Sequence, residues 1–169
     1  MEIKFFFPAA KLEAVHRLMA SKFQIISFNG VLKQTYNSLY QDTSTFKHYL
    51  DHHNGRKNRF KIRFRHYRDA ELTFLEVKRK TNNGFTIKSR LQIPYDTEEI
   101  TEEATRFLSK TYTGNLADLQ DSIRTRYQRI SLVTADHNAR ITLDQNLSFE
   151  YKNKASSLKG LAVLELKYN

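Results

Sequence analysis

Cysteine is absent from this chain of 169 residues, and proline and glycine are scarce, with two and five copies. Without cysteine the chain can form neither a disulfide framework nor a thiolate metal site. The sequence contains no linker, no repeat of fixed period and no low-complexity segment. It therefore predicts a single domain over residues 1–169.

Long apolar runs are also absent. No stretch approaches the roughly 18 apolar residues of a membrane-spanning helix, and residues 1–8 lack the apolar core of a secretory signal. Apolar residues nevertheless make up 40% of the chain, which suffices for a folded globular core. We therefore expect a soluble, cytoplasmic protein without a transmembrane segment.

Acidic residues are scarce relative to basic ones: the chain has 18 Asp and Glu but 28 Lys and Arg, giving a formal charge of +10. Such an excess favours polyanionic partners, namely nucleic acid, phosphate chains or anionic lipid. The sequence has no glycine-rich phosphate loop of the Walker or dinucleotide type. If the partner is a nucleotide, side chains must therefore hold its phosphates.

Alternating patterns predict an α+β fold, an antiparallel eight-stranded barrel or tunnel with flanking helices. Helices are predicted at 9–20, from 42 to about 54, and at 97–110 with Thr97 as a possible cap. The dipeptide Asn83-Gly84 is a strong hairpin signal between two of the strands. The predicted strands are 2–7, 31–40, 59–68, 72–80, 85–93, 123–134, 139–150 and 161–168.

The charged residues of these strands alternate with apolar ones and therefore lie on the opposite face of the sheet. Basic residues dominate this charged face, whereas an ordinary solvated face mixes both signs. The basic set is Lys4, Lys61, Arg63, Arg65, Lys78, Lys80, Lys88, Arg90, Arg129, Arg140 and Lys167. The acidic set is Glu2, Glu76, Asp144 and Glu165.

Two interpretations of the charged face stay open from the pattern alone. In the first, the face is solvated and binds nothing, as in many antiparallel sheets. In the second, the charges line the inside of a barrel whose apolar outer faces are covered by helices. Cations enclosed in this way repel one another and therefore need a strongly negative ligand, such as a triphosphate or a longer phosphate chain. Arginine binds phosphate oxygens as a fork, lysine acts as a point charge, and carboxylates suit Mg²⁺ or Mn²⁺.

Other constellations favour packing over function. His48 and His52 have the spacing of helical zinc ligands, but the glutamate of the metalloprotease signature is missing, which favours a surface or helix-end role. Most tyrosines and phenylalanines fall at apolar positions of strands and helices, which favours core packing over base stacking. Nucleic acid is therefore not expected as a partner.

A further signal lies in seven stretches of the chain, namely 2–5, 61–65, 74–78, 86–90, 126–129, 140–147 and 164–168. In this order they resemble the catalytic domain of the vacuolar transporter chaperone (VTC) polyphosphate polymerases. That domain belongs to the triphosphate tunnel metalloenzymes, which also include the CYTH proteins. The stretches run nearly from end to end of the chain, which makes their order a more specific signal than any one of them.

The resemblance implies a metal-dependent phosphotransferase that moves the γ-phosphoryl group of ATP to a polyphosphate chain, with Mn²⁺ or Mg²⁺ as cofactor. It implies Glu165 as a metal ligand, and the charge alternation adds Glu76 and Glu2. The phosphate ligands that the resemblance implies are Lys4, Arg63, Arg65, Lys78, Lys88, Arg129 and Arg140. The alternation of charged and apolar residues adds Lys80, Arg90 and Lys167 to this set. Among these we take as catalytic Arg63, Arg65, Lys78, Arg129 and Arg140.

Two departures from the family bear on the activity. The first strand carries Glu2 and Lys4 but not the Glu-x-Glu-x-Lys of the CYTH hydrolases, which favours the VTC branch and removes one metal carboxylate. Family members also continue into a further basic, helical segment, which we expect this chain to lack. Polyphosphate synthesis, triphosphate hydrolysis and binding of polyphosphate or RNA without catalysis therefore stay open.

Overall fold

A computed structural model of the protein describes residues 2–168. It is a mostly antiparallel sheet with a few helices, which confirms the predicted α+β class. The helices are α1 (Leu12–Ala20), α2 (Lys47–His53) and α3 (Glu102–Thr111). The strands are β1 (Glu2–Pro8), β2 (Phe23–Ile26), β3 (Lys33–Asp42), β4 (Arg59–Tyr67), β5 (Leu72–Lys80), β6 (Thr86–Ile93), β7 (Gln120–Thr134), β8 (Ala139–Tyr151), β9 (Lys154–Ser157) and β10 (Leu161–Tyr168).

All the predicted strands are present, and two short ones are added. Strands β2 and β9 have four residues each, which is too short for the apolar–polar alternation that identifies the others. They form because longer neighbours supply hydrogen-bonding edges: β2 pairs with β7, and β9 pairs with β8. The sheet is not closed, so the predicted barrel is only approximate.

The chain folds as two compact units. The first unit contains residues up to 36, residues 68–70 and residues from 125 onward. The second unit contains residues 37–67 and 71–124. Strands β3 and β7 each contribute residues to both units.

The core of the second unit lies between its strands and helix α3. Ile62 and Phe64 of β4 and Leu75 of β5 are fully buried, and Leu108 of α3 is buried against them. Burying each such side chain contributes roughly 1.5–3 kcal/mol. In this unit, therefore, a helix covers the apolar face of the sheet, as the sequence predicts.

Helix α3 begins later than predicted. Its cap is Thr101, whose hydroxyl oxygen accepts a hydrogen bond from the backbone N–H of Ala104, so the choice of Thr97 is wrong. The intervening Glu98 cannot join the helix because its carboxylate is held by His66 and Arg124. These are long-range contacts that no local pattern reveals.

The first unit repeats this arrangement with helix α1. Leu132 of β7 and Ile141 and Leu143 of β8 are buried, and Val15 and Met19 of α1 pack against them. Here too an amphipathic helix covers the apolar face of the strands. The polar side chains of the same strands consequently lie on the face opposite α1.

Helix α2 starts at a buried carboxylate. Asp42 accepts hydrogen bonds from the backbone N–H groups of Thr43, His48 and Tyr49. The ring of His48 is buried, with Nε2 2.9 Å from the hydroxyl of Tyr112. The predicted role was a surface or helix-end one. His48 lies in the first turn of α2, at a helix end, but its ring is buried because Tyr112, a partner distant in the sequence, encloses it.

None of the helices within residues 2–168 combines the length and the apolar character that crossing a bilayer requires.

Candidate phosphate-binding faces

Rows of cationic side chains cross β4, β5 and β6 on the face of the second unit opposite α3. Residues that pair directly across antiparallel strands point to the same face of a sheet. The rows, in order along the strands, are Arg59–Lys80–Thr86, Lys61–Lys78–Lys88, Arg63–Glu76–Arg90 and Arg65–Phe74–Gln92. Like charges in direct opposition are unfavourable, so this face is suited to a polyanion. We call it the second-unit cationic face.

Arg63 is held from two sides on this face. Its Nε and Nη2 donate to Oε2 of Glu76 at 2.8 and 2.6 Å, and its Nη1 donates to the hydroxyl of Tyr40 at 3.0 Å. Lys88 places Nζ 2.5 Å from the other carboxylate oxygen of Glu76. This contact between Lys88 and Glu76 is an ion pair in which no well-aligned hydrogen bond forms. Glu76, with 2% of its side chain exposed, thus anchors two predicted phosphate ligands.

The surroundings of Glu76 keep it ionised. Burial alone would raise the pKa of its carboxyl group, but Arg63, Lys88 and Arg65 outweigh burial and lower that pKa below its ordinary value. Glu76 is therefore a permanent negative charge at neutral pH. It neutralises only part of the positive charge that surrounds it.

The neighbouring arginines are also fixed in direction. Arg65 is buried, and its Nε donates to the hydroxyl of Ser38 at 3.1 Å. The guanidinium of Arg90 lies over the ring of Phe74, 5.0 Å from the ring centroid. Cations that are already oriented lose less entropy when an anion binds. Lys78 and Lys80, in contrast, are exposed.

The first unit carries the other predicted site residues. Opposite its core, β1, β10 and β8 form the rows Glu2–Lys167–Arg140, Lys4–Glu165–Thr142 and Phe6–Val163–Asp144. Lys167 places Nζ 2.6 Å from Glu165, and Lys4 lies 3.8 Å from the second oxygen of that carboxylate. Both lysines also approach Glu2, at 3.5 Å from Lys4 and 3.8 Å from Lys167. Arg140 is exposed.

Arg129 lies next to this group, in a fork-to-fork pair with Asp144. Its Nε and Nη2 each donate to one oxygen of Asp144, both at 2.6 Å. Its guanidinium also lies over the rings of Tyr36 and Tyr127, which stack on each other at 5.1 Å. Burial would lower the pKa of Arg129, but Asp144 and the tyrosines raise it, so the cation is permanent.

The comparison with known families decides where the chain belongs. The model of the VTC domain matches residues 1–169, the whole chain. The chain belongs to the VTC domain family. This confirms the resemblance read from the seven stretches. None of the curated proteins matches the sequence of this VTC domain.

Solved structures share the fold of this VTC domain at low identity. The PH1012 protein from Pyrococcus horikoshii OT3 is 10% identical, with a TM-score of 0.52 over 100% of this chain and 80% of that one. The HpAC1 protein from Hippeastrum, described as having a dominant triphosphatase activity, is 13% identical. Its TM-score is 0.57 over 98% of this chain and 77% of its own. Similarity at this level establishes the fold alone.

The predicted metal ligands of the VTC domain differ in how well they suit a cation. Within residues 2–168, no three His, Asp or Glu side chains are grouped so as to hold a metal. Mg²⁺ usually takes only one or two protein carboxylates and completes its shell with water and substrate phosphates. Glu165 and Glu2 fit that requirement. Their ion-pair partners are Lys167 and Lys4, flexible side chains that can turn from the carboxylate to a bound phosphate. Both oxygens of Glu76 are occupied by cations.

The VTC domain also has residues at these faces that the sequence analysis missed. Ser38 and Tyr40 of β3 contact Arg65 and Arg63, and Tyr36 and Tyr127 flank Arg129. The positions of most tyrosines in the sequence predict core packing instead. The alternation in β3, which places Leu39 in the apolar core and its two neighbours opposite, is the signal that could have identified Ser38 and Tyr40.

Proposed function

We propose that this VTC domain binds triphosphates and polyphosphate on its cationic faces and transfers the γ-phosphoryl group of ATP to a polyphosphate chain. The observation that carries the proposal is the row Lys61–Lys78–Lys88, in which three strands bring like charges together on the face away from α3. In this row Lys88 forms an ion pair with the buried Glu76. A phosphate chain would supply negative charge along the whole row.

The physical argument rests on the spacing of charge. Two unit charges 4 Å apart interact by about 4 kcal/mol at an effective dielectric constant near 20. Neighbouring residues across antiparallel strands have Cβ atoms roughly 4.5–5.5 Å apart, so a single polyanion can reach the charged ends of several such side chains. A polyphosphate repeats its negative charge along the chain, so it can compensate several rows at once. A neutral or singly charged ligand cannot.

Phosphoryl transfer needs positioned cations more than a protein nucleophile. We assign charge stabilisation of the transferred group to the predicted catalytic residues, namely Arg63, Arg65, Lys78, Arg129 and Arg140. The fixed guanidinium groups of Arg63 and Arg129 suit this task because they need no reorientation when charge develops. The further phosphate ligands are Lys4, Lys80, Lys88, Arg90 and Lys167.

We propose Glu165 and Glu2 as the carboxylates that hold a divalent metal, Mn²⁺ or Mg²⁺, together with the substrate. When bound, the metal neutralises charge on the phosphate oxygens and polarises the phosphorus. The pKa of Glu165 supports this role: burial would raise it, but Lys167, Lys4 and Arg129 lower it below the ordinary value. The role of Glu76 as a metal ligand stays a prediction.

We further propose that residues 1–169 act as one domain. The support is that the family match covers both units and that β3 and β7 contribute residues to each. Convergence of the cationic faces on a shared channel stays a prediction, as does the cytoplasmic location.

Triphosphate hydrolysis is the second candidate function. It is favoured by the triphosphatase activity described for HpAC1, which shares the fold. The two reactions place the same demands on the protein and differ in the acceptor of the phosphoryl group, which is water in hydrolysis and a phosphate chain end in synthesis.

A binding experiment with a charge-matched control tests the proposal. Titration calorimetry with tripolyphosphate compares the wild type with Lys61→Gln/Lys78→Gln, which removes two cations from the second-unit cationic face. The control is Arg106→Gln/Lys110→Gln, which removes two exposed cations from α3 on the other side of the sheet. We expect at least about tenfold weaker binding for the first pair and little change for the control. Equal losses of affinity in the two double variants would show that binding depends on overall charge and not on this face.

The reaction is identified separately. The protein is incubated with ATP and Mn²⁺, and the products are resolved by gel electrophoresis and a phosphate assay. Growth of a polyphosphate ladder identifies the polymerase, and free phosphate without a ladder identifies the hydrolase. Neither product, with tight salt-sensitive binding of polyphosphate, identifies a binding module.

A further inference from the structure

Strand β3 presents two hydroxyl groups to the arginines of β4. Ser38 and Tyr40 are two residues apart and so share a face, as do Arg63 and Arg65. Ser38 accepts a hydrogen bond from Arg65 at 3.1 Å, and Tyr40 accepts one from Arg63 at 3.0 Å. Leu39, between the two hydroxyl residues, is buried in the apolar core on the other side. The hydroxyls therefore belong to the second-unit cationic face.

The hydroxyl of Tyr40 differs from the carboxylate of Glu76, although both accept a hydrogen bond from Arg63. A carboxylate only accepts, whereas a phenol that accepts still has a proton to donate. The phosphate oxygens that Arg63 binds would lie next to this proton. Tyr40 can therefore add a neutral donor to a cationic site without adding charge.

We propose that Tyr40 is a further phosphate-binding residue, whose hydroxyl accepts from Arg63 and donates its proton to an oxygen of the phosphate bound there. The inference rests on the proposed function, because it requires that phosphate occupies the second-unit cationic face. It assigns a role to a residue outside the set identified from sequence.

The electrostatic surroundings of Tyr40 support this role and provide its signature. Burial would raise the pKa of Tyr40, but Arg63, Arg65 and Lys61 of β4 outweigh burial and lower it below 10.0, the ordinary value. Glu76 of β5 accepts from the same arginine, Arg63, as Tyr40 does. The phenolate would have no proton to donate and would repel phosphate. Affinity should therefore fall as pH rises through this pKa.

The test measures tripolyphosphate binding by titration calorimetry for the wild type, Tyr40→Phe and the control Tyr49→Phe. Tyr49 lies on α2 with 60% of its surface exposed, so its variant removes a phenol hydroxyl away from the face. At neutral pH we expect roughly tenfold to a hundredfold weaker binding for Tyr40→Phe, the range for a hydrogen bond to a charged group. The control should bind like the wild type.

A pH series then separates direct donation from a purely structural role. Between neutral pH and pH 10, about the ordinary tyrosine value, the wild type should lose affinity more steeply than Tyr40→Phe. Should Tyr40→Phe fail to fold, as circular dichroism would show, tyrosinate absorbance of the wild type replaces it. Tripolyphosphate should then shift the first tyrosine ionisation to higher pH, and an unchanged ionisation would overturn the proposal.

Each remaining outcome has a separate meaning. Wild-type affinity in Tyr40→Phe, or a weaker affinity with an unaltered alkaline fall, overturns the inference for Tyr40 and leaves the proposed function intact. No binding by the wild type, or no effect of Lys61→Gln/Lys78→Gln, overturns the proposed function and the inference together.

Discussion

Removing Arg63 should destabilise the fold through Glu76, apart from any effect on phosphate binding. The side chain of Glu76 is 2% exposed and that of Arg63 is 19% exposed, so Arg63→Ala leaves a buried carboxylate that has lost its main partner. Breaking such a pair typically costs about 3–5 kcal/mol. Because Lys88 still lies 2.5 Å from the carboxylate and partly compensates it, we expect a loss at or just below the lower end of that range, about 2–3 kcal/mol.

A double-mutant cycle isolates this interaction. Glu76→Gln removes the buried charge, so in the Arg63→Ala background it should restore part of the lost free energy of unfolding. We expect a coupling energy of about 1–3 kcal/mol. The free energies come from urea denaturation followed by circular dichroism, for the wild type, both single variants and the double variant. The variants should stay folded at 25 °C, since domains are stable by about 5–15 kcal/mol.

Additivity would contradict this account of the pair. If the effects of the single variants sum to that of the double variant within roughly 0.5 kcal/mol, Arg63 does not neutralise Glu76. A matched cycle on Lys4 and Glu2 serves as the control. Their side chains are 52% and 45% exposed and their charged atoms are 3.5 Å apart, so their coupling should be small.

Three further predictions concern stability and the site. The pKa values of Glu76 and Glu98 are lowered in the folded state, by arginine and other partners acting against burial. The ionised carboxylates therefore stabilise the fold fully above the unfolded carboxyl pKa of about 4.3, and this contribution is lost as pH falls through their lower folded pKa values. A thermal melting temperature that does not fall in this acidic range would contradict the prediction. Asp42→Ala should lower the free energy of unfolding by about 1–2 kcal/mol, because three backbone N–H groups lose their acceptor; urea denaturation measures it, and an unchanged midpoint would refute it. Arg129→Lys keeps the charge but loses the fork to Asp144, so calorimetry should show weaker tripolyphosphate binding; wild-type affinity would count against a role for the guanidinium.

The sequence was most informative where charge and apolar character alternate. In β4, β5 and β6 that alternation predicted both the strands and the face on which Arg63, Lys78 and Lys88 lie. Local signals were weaker where long-range contacts decide the conformation. Helix α3 begins later than predicted because His66 and Arg124 hold the carboxylate of Glu98. The ring of His48 is buried because the hydroxyl of Tyr112 contacts it.

The contacts within the candidate site depend on strand register, which residue parity does not determine. Parity places Arg63 and Glu76 on compatible faces, but only the pairing of β4 with β5 makes them direct neighbours. The same holds for Arg129 and Asp144 of β7 and β8. Tyr40 was missed for a different reason, since an aromatic residue in a strand normally indicates core packing.

The most direct test of the central claim is a crystal structure of the protein with tripolyphosphate bound. We expect phosphate oxygens within hydrogen-bonding distance of Lys61, Lys78 and Arg63, on the face of the sheet away from α3. Phosphate bound instead in the cavity of about 500 Å³ lined by Lys47, Arg56 and Lys57, with the second-unit cationic face left unbound, would contradict the claim.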